Sequence, residues 1–567
     1  MAIIFAIFFS LFRVLGLPRA GCGLVLIPLI WFYTALTGWP ASAIRATVML
    51  TVIIVGWALN RPSDLINSLL AAALIILVWD PQQLFQAGFQ LSFLVVLCII
   101  LILPAFDEFS QRLLKSDPLR PDELRPRWQK LLVPPARFVL DFLFTSLAAW
   151  RGSIPLAAYY FHIFTPVSAP ANLVAVPLCA LALTSNFISL LLAGWFRGGA
   201  EIFNHAGWFL MECIRVSSHW FEQWPAAFFY VSAPGLFTTA LYYAILLAVL
   251  TGWLFKPNWR AWKIGRLVLL SVLWCVQWRS ENSVARLTAL PLSGGSAIYC
   301  DAPGGKSDLL VDCGNSNSVQ FVMKPFLRAQ GVNTLPNLAL THGDVRHVGG
   351  AKLLAALFPI EQITASSVRF HSPVYRSSIE EFSARLKTRN RGDEFANWNV
   401  LHPNPGQPFS DADDNALVLR GEFLSTRVLL LSDLGRAGQI SLVNSSQDLR
   451  AEIVVSCLPD QSEPLSDLLL DMIQPKLIII ADSDFPAIKR AGARLRERLQ
   501  QRGSGMPVPG GPLPRLRDRL TGDARMLRIF SNVVGMSTRS TVTWSSAACN
   551  CVARTRPHRR STSSVSP

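Results

Sequence analysis

The sequence predicts a polytopic α-helical membrane domain followed by a soluble α/β domain, with the boundary near residue 280. Nearly all long apolar runs and most of the tryptophans precede that boundary, whereas residues 284–504 have the composition of a soluble domain. A chain of 567 residues is also too long for one compact core. We therefore expect a transmembrane domain over 1–280, a soluble domain over 284–504 and a separate tail over 505–567.

The membrane domain is predicted from the length of its apolar runs. These lie near 2–16, 21–37, 41–59, 65–79, 88–105, 140–164, 168–196, 233–255 and 261–278. Most are long enough to cross, or nearly cross, a hydrocarbon core about 30 Å thick. One such run also suits a buried helix of a soluble protein, but the whole set indicates an integral membrane protein, and a cleaved signal peptide explains the N-terminus poorly.

The distribution of positive charge predicts the orientation of the chain. The net charge is +15, and the loops 106–137 and 256–266 carry seven and four Lys or Arg residues. Such loops are cytoplasmic by the positive-inside rule, and a DNA-binding patch is the alternative. The soluble domain is then expected outside the cytoplasm. The stretch 200–230 mixes aromatic and polar residues, so its helix either lies in the membrane interface or crosses the membrane. The choice between the two reverses the orientation of all that follows it.

The soluble half has the pattern of an α/β domain. Short β-rich runs and Gly-rich turns begin at residue 284, and helical stretches are expected near 319–330, 350–357, 376–388 and 487–502. Strands that alternate with helices around buried apolar runs predict an α/β fold. The ten cysteines of the chain have no zinc-like spacing, so we expect most of them to be small core residues.

Polar residues interrupt three of the apolar regions. The stretches are TGWPASAIRATVML (37–50), DPQQLFQAGFQLSFLVV (80–96) and AWRGSIPLAAYYFHIFTPVSAPANLVAVPL (149–178). Polar groups within membrane helices are costly and often functional. The candidate path for a strand of nucleic acid consists of Arg45, Gln86, Gln90, Arg151 and Asn172. Such side chains can hold phosphates and bases without sequence preference. The alternative is that Arg45 reaches the interface and the amides join helices.

These three stretches, in this order and followed by a His-x-Asp-x-x-His-x-Gly-Gly turn, resemble the ComEC family of bacterial competence proteins. The resemblance runs from about residue 2 to about residue 500. It implies an inner-membrane channel for single-stranded DNA in natural transformation, and an αββα metallo-β-lactamase-like domain that degrades the other strand. Family members begin with further membrane helices and an OB-like domain, so the chain is expected to be a fragment, a late start or a reduced version.

The turn LTHGDVRHVGG (340–350) marks the candidate metal site. In this fold, imidazoles and carboxylates from several loops hold one or two divalent cations that activate a water molecule. By this resemblance, the metal ligands that remain are His342, Asp344, His347 and Asp433, and they would form a weak site. Three departures stand against full activity: Arg346 replaces the second acid of the turn, PLSGGSA (291–297) replaces the first family motif, and CLPDQSE (457–463) replaces a loop that supplies a histidine.

The substitution of an acid by Arg346 weakens the case for an enzyme. A unit charge about 4 Å from a cation interacts at roughly 4 kcal/mol per unit charge product at an effective dielectric of about 20. We therefore assign no catalytic residue and do not expect an enzyme, although weak binding of one Zn or Mn ion is compatible with the four remaining ligands. Two alternatives stay open: a structural turn, and an arginine that contacts a phosphate.

The tail over 505–567 is arginine-rich, has no lysine and shows little periodicity. Such a composition predicts disorder. An out-of-frame ending and a basic tail that binds nucleic acid are two further interpretations.

Taken as a whole, the sequence predicts a component of a DNA-uptake channel in a bacterial cytoplasmic membrane, with a degenerate hydrolase-like domain outside. Its expected partners are single-stranded DNA, membrane lipid, a DNA receptor and a cytoplasmic ATP-driven translocase. The last is expected because the chain has no phosphate-binding Gly-x-x-x-x-Gly-Lys-Ser/Thr loop. The rival predictions are a membrane-tethered, metal-dependent nuclease or phosphodiesterase, and an inactive fragment.

Overall fold

The computed structural model describes residues 19–59, 64–113, 127–250, 260–282, 285–292, 295–404, 406, 408–423, 426–445, 448–481, 491–501, 527–531 and 540–543. The apolar run expected near 2–16 lies outside these residues. The chain divides into two compact units: Met1–Leu267 with Arg328–Gly331, and Val268–Leu327 with Val332–Pro567. Each unit is described by itself below.

The first unit is helical. Its helices are α1 (Arg19–Leu36), α2 (Ala41–Ala58), α3 (Leu65–Trp79), α4 (Ala87–Leu113), α5 (Arg127–Phe161), α6 (Ser168–Leu192), α7 (Arg197–Glu222) and α8 (Leu236–Leu250). A further helix, α9 (Arg260–Asn282), runs from this unit into the second. Two short strands, β1 (Ile163–Phe164) and β2 (Phe229–Tyr230), pair in antiparallel orientation.

Capping residues explain where several of these helices begin. Pro40 precedes α2, where its fixed φ and missing N–H are tolerated. The Asp64 side chain accepts a hydrogen bond from the Ile66 amide at 3.0 Å and so caps α3. Asp80 accepts from the Gln82 amide at 3.0 Å and starts a 3₁₀ turn over Pro81–Phe85, which leads into α4.

Three helical segments are long and apolar enough to cross a membrane: Ala41–Ala58, Ala87–Pro104 and Ser168–Leu192. Three shorter apolar segments are Gly21–Leu36, Leu65–Trp79 and Leu236–Leu250. These six coincide with predicted apolar runs. The regions near 140–164 and 261–278 are also helical, but they are not among the candidate spans found within the described residues.

The ambiguous stretch 200–230 is largely one helix, α7, which packs against α6 through small and polar side chains. Ser185 and Ser189 donate from their hydroxyls to the carbonyls of Phe203 and Ala200, each at 2.7 Å. A Cβ on Gly207 would lie 2.3 Å from Oδ1 of Asn186, so the side-chain amide of Asn186 packs closely against this glycine. Small residues and interhelical hydrogen bonds of this kind join helices in a membrane.

The second unit contains two β-sheets. Its strands are β3 (Ala285–Pro291), β4 (Ser296–Asp301), β5 (Leu309–Val311), β6 (Leu335–Leu340), β7 (Ile360–Ala365), β8 (Leu386–Thr388), β9 (Glu394–Phe395), β10 (Trp398–His402), β11 (Val418–Phe423), β12 (Thr426–Ser432), β13 (Ile453–Ser456), β14 (Leu477–Ile480), β15 (Leu527–Ser531) and β16 (Ser540–Thr543). The first sheet has the order β16-β15-β3-β4-β5-β6-β7-β8, and the second has the order β14-β13-β12-β11-β10-β9.

The main core lies between the two sheets. Leu287, Ile298 and Val311 of the first sheet share one buried cluster with Trp398 and Leu430 of the second. A second cluster covers the other face of the second sheet, where it includes residues of the helices α13 (Arg436–Val443), α14 (Asp467–Ile473) and α15 (Ala493–Gln501).

The first sheet is covered on its outer face by the helices that connect its parallel strands. Strands β5 to β8 are parallel neighbours, and parallel neighbours need crossover connections. The connecting helices include Lys324–Ala329, α11 (Ala351–Leu357) and α12 (Pro373–Glu381). With the short helix α10 (Val345–Val348) at its edge, the domain is the predicted αββα sandwich.

Two details differ from the sequence-based expectations. The helix expected near 376–388 ends at Glu381, and β8 follows at Leu386, because this segment completes the edge of the first sheet. Within the tail expected to be disordered, β15 pairs in parallel with β3, and β16 pairs with β15. The strand β15 thus extends the sheet beyond β3. Residues 502–526, 532–539 and 544–567 lie outside the described part of the chain.

Candidate functional site

Three predicted ligands meet in a buried group at the ends of β6 and β12. His342 and His347 belong to the turn that follows β6, and Asp433 directly follows β12. Potential ligand atoms of these three residues lie within 4.8 Å of one another. Nε2 of His347 is 3.1 Å from Oδ2 of Asp433, and Nδ1 of His342 is 3.4 Å from Oδ1 of the same carboxylate. All three side chains are at most 1% exposed.

A fourth buried residue, Asp312, holds this group in position. Its Oδ2 lies 2.9 Å from Nδ1 of His347 and accepts from the hydroxyl of Thr341 at 2.7 Å. Its Oδ1 accepts from the Thr341 amide at 2.9 Å. Asp312 has a φ of 58°, an uncommon conformation for a residue with a side chain. Sequence reasoning missed this residue, although the signal was present in the buried strand Leu309–Val311 followed by Asp-Cys-Gly.

The Thr341 hydroxyl determines which ring nitrogen of His342 carries the hydrogen. Because that hydrogen is donated to Asp312, the oxygen of Thr341 accepts from Nδ1 of His342, which lies 2.9 Å away. Nε2 of His342 then carries the lone pair. This atom is buried and has no hydrogen-bond partner among the described residues. The pair of contacts thus leaves one imidazole nitrogen available to a ligand.

The two histidines differ in their affinity for protons. Burial is the dominant effect on His342 and lowers its pKa, although Asp433 acts in the opposite direction. Burial also lowers the pKa of His347, but the carboxylates of Asp433 and Asp312 outweigh it and hold the pKa well above the usual value. We infer a neutral His342 beside a protonated His347, so a cation that binds His347 would have to displace a proton.

Asp344 does not join the group, in contrast to its predicted role. Its Oδ1 accepts from the Arg346 amide at 3.0 Å and caps the short helix α10. Its Oδ2 lies 2.9 Å from Nε and 2.7 Å from Nη2 of Arg346. Burial raises the pKa of Asp344, but the hydrogen bonds from Arg346 prevail and hold that pKa below the usual value. The carboxylate is therefore occupied by the arginine that follows it.

The three segments that depart from the family pattern contact one another. Nη2 of Arg346 pairs with Oδ2 of Asp460, which belongs to CLPDQSE. A Cβ on Gly295, in PLSGGSA, would lie 2.0 Å from the carbonyl oxygen of Arg346, so only glycine fits there. The hydroxyl of Ser296 lies 2.8 Å from the sulfur of Cys457. The three changes thus form one packed region rather than three separate losses.

A second carboxylate near the group, Asp413, was also missed. Its Oδ1 lies 3.7 Å from Nε2 of His342, and its Oδ2 accepts from the Asp460 amide at 3.0 Å. Asp413 lies in the segment DDNALVL, where no pattern distinguished a ligand from a turn residue. Among the described residues, the group that could hold a metal nevertheless consists of His342, His347 and Asp433, whose imidazoles and carboxylate are donors that Zn²⁺ accepts.

In the membrane unit, Arg45 lies against the start of α4. Arg45 is 7% exposed, and a Cβ on Gly88 would lie 2.5 Å from its Nη2, so the guanidinium packs closely against this glycine. Nε of Arg45 is buried without a hydrogen-bond partner among the described residues. The contact joins TGWPASAIRATVML to DPQQLFQAGFQLSFLVV, two of the three stretches singled out in the sequence.

The other residues of the candidate path are partly connected. The hydroxyl of Tyr160, from the third stretch, donates to Oε1 of Gln90 at 3.0 Å, and Nε2 of Gln90 donates to the Leu84 carbonyl at 2.8 Å. Arg151 is exposed, with its guanidinium 5.9 Å from the centre of a phenylalanine ring. Gln86 is exposed and Asn172 half-buried. Within the described ranges, no side-chain hydrogen bond joins any two of Arg45, Gln86, Gln90, Arg151 and Asn172.

Comparison with solved structures finds metallo-β-lactamases. The Rm3 metallo-β-lactamase is 12% identical, with 30% of this chain and 76% of that chain covered at a TM-score of 0.23. A metallo-β-lactamase from Hirschia baltica is 12% identical, with 35% of this chain and 87% of that chain covered at a TM-score of 0.20.

Comparison with family models and curated proteins covers both halves of the chain. Residues 1–256 match the model of the competence proteins, and residues 292–436 match that of the metallo-β-lactamase superfamily. ComE operon protein 3 of Bacillus subtilis (strain 168) is 23% identical over 502 residues, which are 84% of this chain. The match covers 61% of the length of that relative. The chain therefore resembles the ComEC-like competence proteins, with a match to the competence model followed by a match to the metallo-β-lactamase superfamily.

Proposed function

We propose that this protein is an inner-membrane channel component that takes up single-stranded DNA in natural transformation. The observation that carries the proposal is the buried guanidinium of Arg45, which lies within the candidate span Ala41–Ala58 and contacts Gly88. A charged group inside a membrane segment is expensive and marks a pathway for an ion or a substrate. A phosphodiester is an anion that an arginine binds with two parallel hydrogen bonds.

The neighbouring polar groups suit a strand without a fixed sequence. Gln90, held by Tyr160, offers amide atoms beside the start of α4, and Asn172 and Arg151 lie in the third stretch. Contacts to phosphates position a strand without selecting its bases. In this proposal Gln86, Gln90, Arg151 and Asn172 line the path of the DNA together with Arg45.

The orientation and partners follow from the distribution of charge and the absence of an energy-coupling motif. The basic segments 106–137 and 256–266, which include the ends of helices, are cytoplasmic in this proposal, and the soluble domain is extracytoplasmic. Since the sequence contains no ATP-binding loop of the Gly-x-x-x-x-Gly-Lys-Ser/Thr type, a cytoplasmic translocase would pull the strand, and a receptor would deliver it.

The test of this proposal is DNA uptake by a transformable bacterium that lacks its own uptake channel. The chain is expected to restore the accumulation of labelled DNA in a DNase-resistant form. Arg45→Gln should lower this accumulation roughly tenfold, because it removes a charged hydrogen bond worth about 1.5–3 kcal/mol. Arg45→Lys keeps the charge but not the paired donors, so its DNA accumulation should lie between those of the unchanged chain and Arg45→Gln.

The matched control is Arg137→Gln. Arg137 also lies in a helix of the membrane unit, but its side chain is 55% exposed and 3.8 Å from Asp141. This variant should support uptake at the level of the unchanged chain when the membrane abundance of each variant is equal. Equal uptake by Arg45→Gln and the unchanged chain would refute the role of Arg45, and no uptake by any variant would refute the channel.

A second candidate function is metal-dependent cleavage of a phosphodiester, favoured by the group of His342, His347 and Asp433. In this alternative, those residues would hold a Zn or Mn ion that supplies a hydroxide from bound water. Arg346, which is bound to Asp344 and Asp460, would take part only after these ion pairs break. Our main proposal predicts that the purified chain with either metal leaves single- and double-stranded DNA intact. Cleavage that His342→Ala abolishes would establish the enzyme instead.

A further inference from the structure

We propose that Tyr242 and Tyr243 are positioning residues that fix Arg151 on the path of the DNA. Their hydroxyls bind two consecutive backbone carbonyls of α5, at the turn from which the side chain of Arg151 leaves. The role of this contact rests on the proposed uptake of DNA, whereas its chemistry does not. Neither tyrosine belongs to the three polar stretches that the sequence singled out.

Pro155 explains why this turn of α5 needs a donor from outside the helix. In an α-helix the carbonyl of one residue accepts from the amide four positions later, so the partner of Arg151 would be the amide of residue 155. Proline has no amide hydrogen, and its ring also crowds the carbonyl four positions earlier. The carbonyl of Arg151 therefore lacks its helical donor, although α5 continues on both sides of the proline.

Two hydroxyls of α8 supply donors at this turn. Tyr242 donates to the carbonyl of Arg151 at 2.8 Å, and Tyr243 donates to the carbonyl of Gly152 at 2.9 Å. A carbonyl without a donor is costly where water is excluded, and proline is tolerated in membrane helices because groups of neighbouring helices replace the lost hydrogen bond. The two contacts thus form a tyrosine clamp on α5.

The sequence of α8 indicates that these hydroxyls have a specific role. From residue 240 to the end of α8 at Leu250, the tyrosines at 242 and 243 have the only polar side-chain groups. Their rings pack edge to face, with the ring centres 5.4 Å apart. Phenylalanine at either position would fill the same space, so packing alone does not account for the hydroxyls.

Helix α4 packs against the same turn of α5. A Cβ on Gly152 would lie 2.6 Å from Cβ of Cys98, so the two helices approach too closely there for a side chain at position 152. Cys98 and Ala148 belong to a buried cluster against which Leu246 of α8 packs. Two neighbouring helices therefore hold the backbone at Arg151 and Gly152.

Arg151 is the functional group that this arrangement positions. Its carbonyl accepts from Tyr242, whereas its side chain is exposed and its guanidinium lies 5.9 Å from the centre of the Phe106 ring. The clamp fixes the peptide group that follows Arg151 and thereby limits where the guanidinium, at the end of a long side chain, can lie. A phosphate contact depends on such placement, because a binding group needs support from the residues behind it.

A double-mutant cycle on stability tests the clamp. Pro155→Ala gives the carbonyl of Arg151 an amide donor from within α5. We therefore expect Tyr242→Phe to lower the melting temperature of the full chain in detergent, and we expect a smaller loss when Pro155→Ala is also present. An equal loss in the two backgrounds, or no loss in the unchanged one, would overturn the clamp.

The matched control for this cycle is Tyr159→Phe. It removes the hydroxyl of a tyrosine that also lies in α5 but is 44% exposed. The melting temperature should stay unchanged with this variant, with and without Pro155→Ala.

A second cycle, on DNA uptake, tests the positioning of Arg151. At equal membrane abundance, Tyr242→Phe should lower DNase-resistant uptake of labelled DNA roughly threefold, the effect of losing one interhelical hydrogen bond of average strength. In the Arg151→Gln background it should cause no further loss, because no guanidinium remains to be positioned. A purely structural role predicts the same factor in both backgrounds. That result, or unchanged uptake by Tyr242→Phe, would overturn the positioning of Arg151.

The two cycles separate this inference from the proposed function. Absence of uptake by the unchanged chain would refute the channel and with it the role of Arg151, whereas the melting temperatures would still show whether Tyr242 replaces the helical hydrogen bond lost at Pro155. Uptake by the unchanged chain, together with equal losses of stability in the first cycle, would refute the clamp and leave the channel standing.

Discussion

At the scale of single residues, Arg346 has a different effect from the one that its charge alone predicts. The sequence places a positive charge where the family has an acid, which predicts repulsion of any cation. In the structure, however, the guanidinium is paired with Asp344 and Asp460, so its charge is compensated. Arg346 therefore joins two loops at the edge of the candidate site, and the loss of an acid there is accompanied by a new structural contact.

The first prediction concerns this contact. Arg346→Ala should lower the free energy of unfolding by about 1–2 kcal/mol at neutral pH, because it removes two partly buried, charged hydrogen bonds. The matched control is Arg427→Ala, whose ion pair with Asp448 is about half-exposed and should contribute less than about 1 kcal/mol. The measurement is the melting temperature of each full-length variant in detergent.

The dependence on pH identifies the carboxylate involved. The pKa of Asp344 is lowered in the folded chain, so its stabilising effect is present above the pKa of the unfolded state and is lost as the pH falls through the folded value. The difference between Arg346→Ala and the unchanged chain should therefore shrink in acid. A difference that is independent of pH would show that Asp344 is not the stabilising partner.

At the scale of helices and strands, patterns along the sequence predicted the buried elements well and the connections between them poorly. The strands around the sheet core, such as Leu335–Leu340 and Ile453–Ser456, follow apolar runs that identify them directly. The strands β8, at one edge of the first sheet, and β15, next to the other edge, are short. The segment of β8 was predicted as part of a helix, because pairing with a neighbouring strand rather than local preference determines the conformation of such strands.

The same limit explains which site residues were found. His342, His347 and Asp433 were predicted from a recognisable turn and a strand end. Asp312 and Asp413 come from other connections, and only the folding of two sheets brings them to the histidines. A linear pattern also assigned Asp344 to the site, although its neighbour Arg346 occupies both of its oxygens.

The second prediction concerns Asp308, which links three strands of the first sheet. Its carboxylate accepts from the hydroxyl of Tyr299 at 2.9 Å and from the Ala302 amide at 2.9 Å, and its carbonyl accepts from Asn337. Burial raises its pKa to about 6. The folded chain therefore binds a proton that the unfolded chain releases, and this contribution to stability is lost as the pH rises from about 4 to 6.

Asp308→Asn should abolish this decrease in stability with rising pH. The asparagine side chain is neutral and retains an oxygen that accepts from the backbone amide of Ala302. At pH 7 the variant is expected to be more stable than the unchanged chain by up to about 2–3 kcal/mol, at about 1.4 kcal/mol per pKa unit. The advantage should disappear below about pH 4, where the carboxyl is protonated in both states. Melting temperatures across this range provide the measurement, and a variant that is less stable at pH 7 would contradict the account.

At the scale of the whole molecule, the two halves differ in how closely they follow the family. The membrane half retains contacts between its characteristic stretches, through Arg45 with Gly88 and Tyr160 with Gln90. The soluble half retains the αββα sandwich, but three changed segments pack together around Arg346. Composition alone predicted this division into a membrane part and an α/β part, because apolar runs and short strands are properties of local sequence.

The central claim is that the membrane half supports DNA uptake and that the remaining metal ligands are not needed for it. The third prediction therefore compares DNase-resistant uptake of labelled DNA in a channel-deficient host that carries the unchanged chain, Arg45→Gln or His342→Ala. We expect uptake by the unchanged chain, a similar level with His342→Ala and a roughly tenfold loss with Arg45→Gln. Loss of uptake with His342→Ala but not with Arg45→Gln, at equal membrane abundance, would contradict the claim.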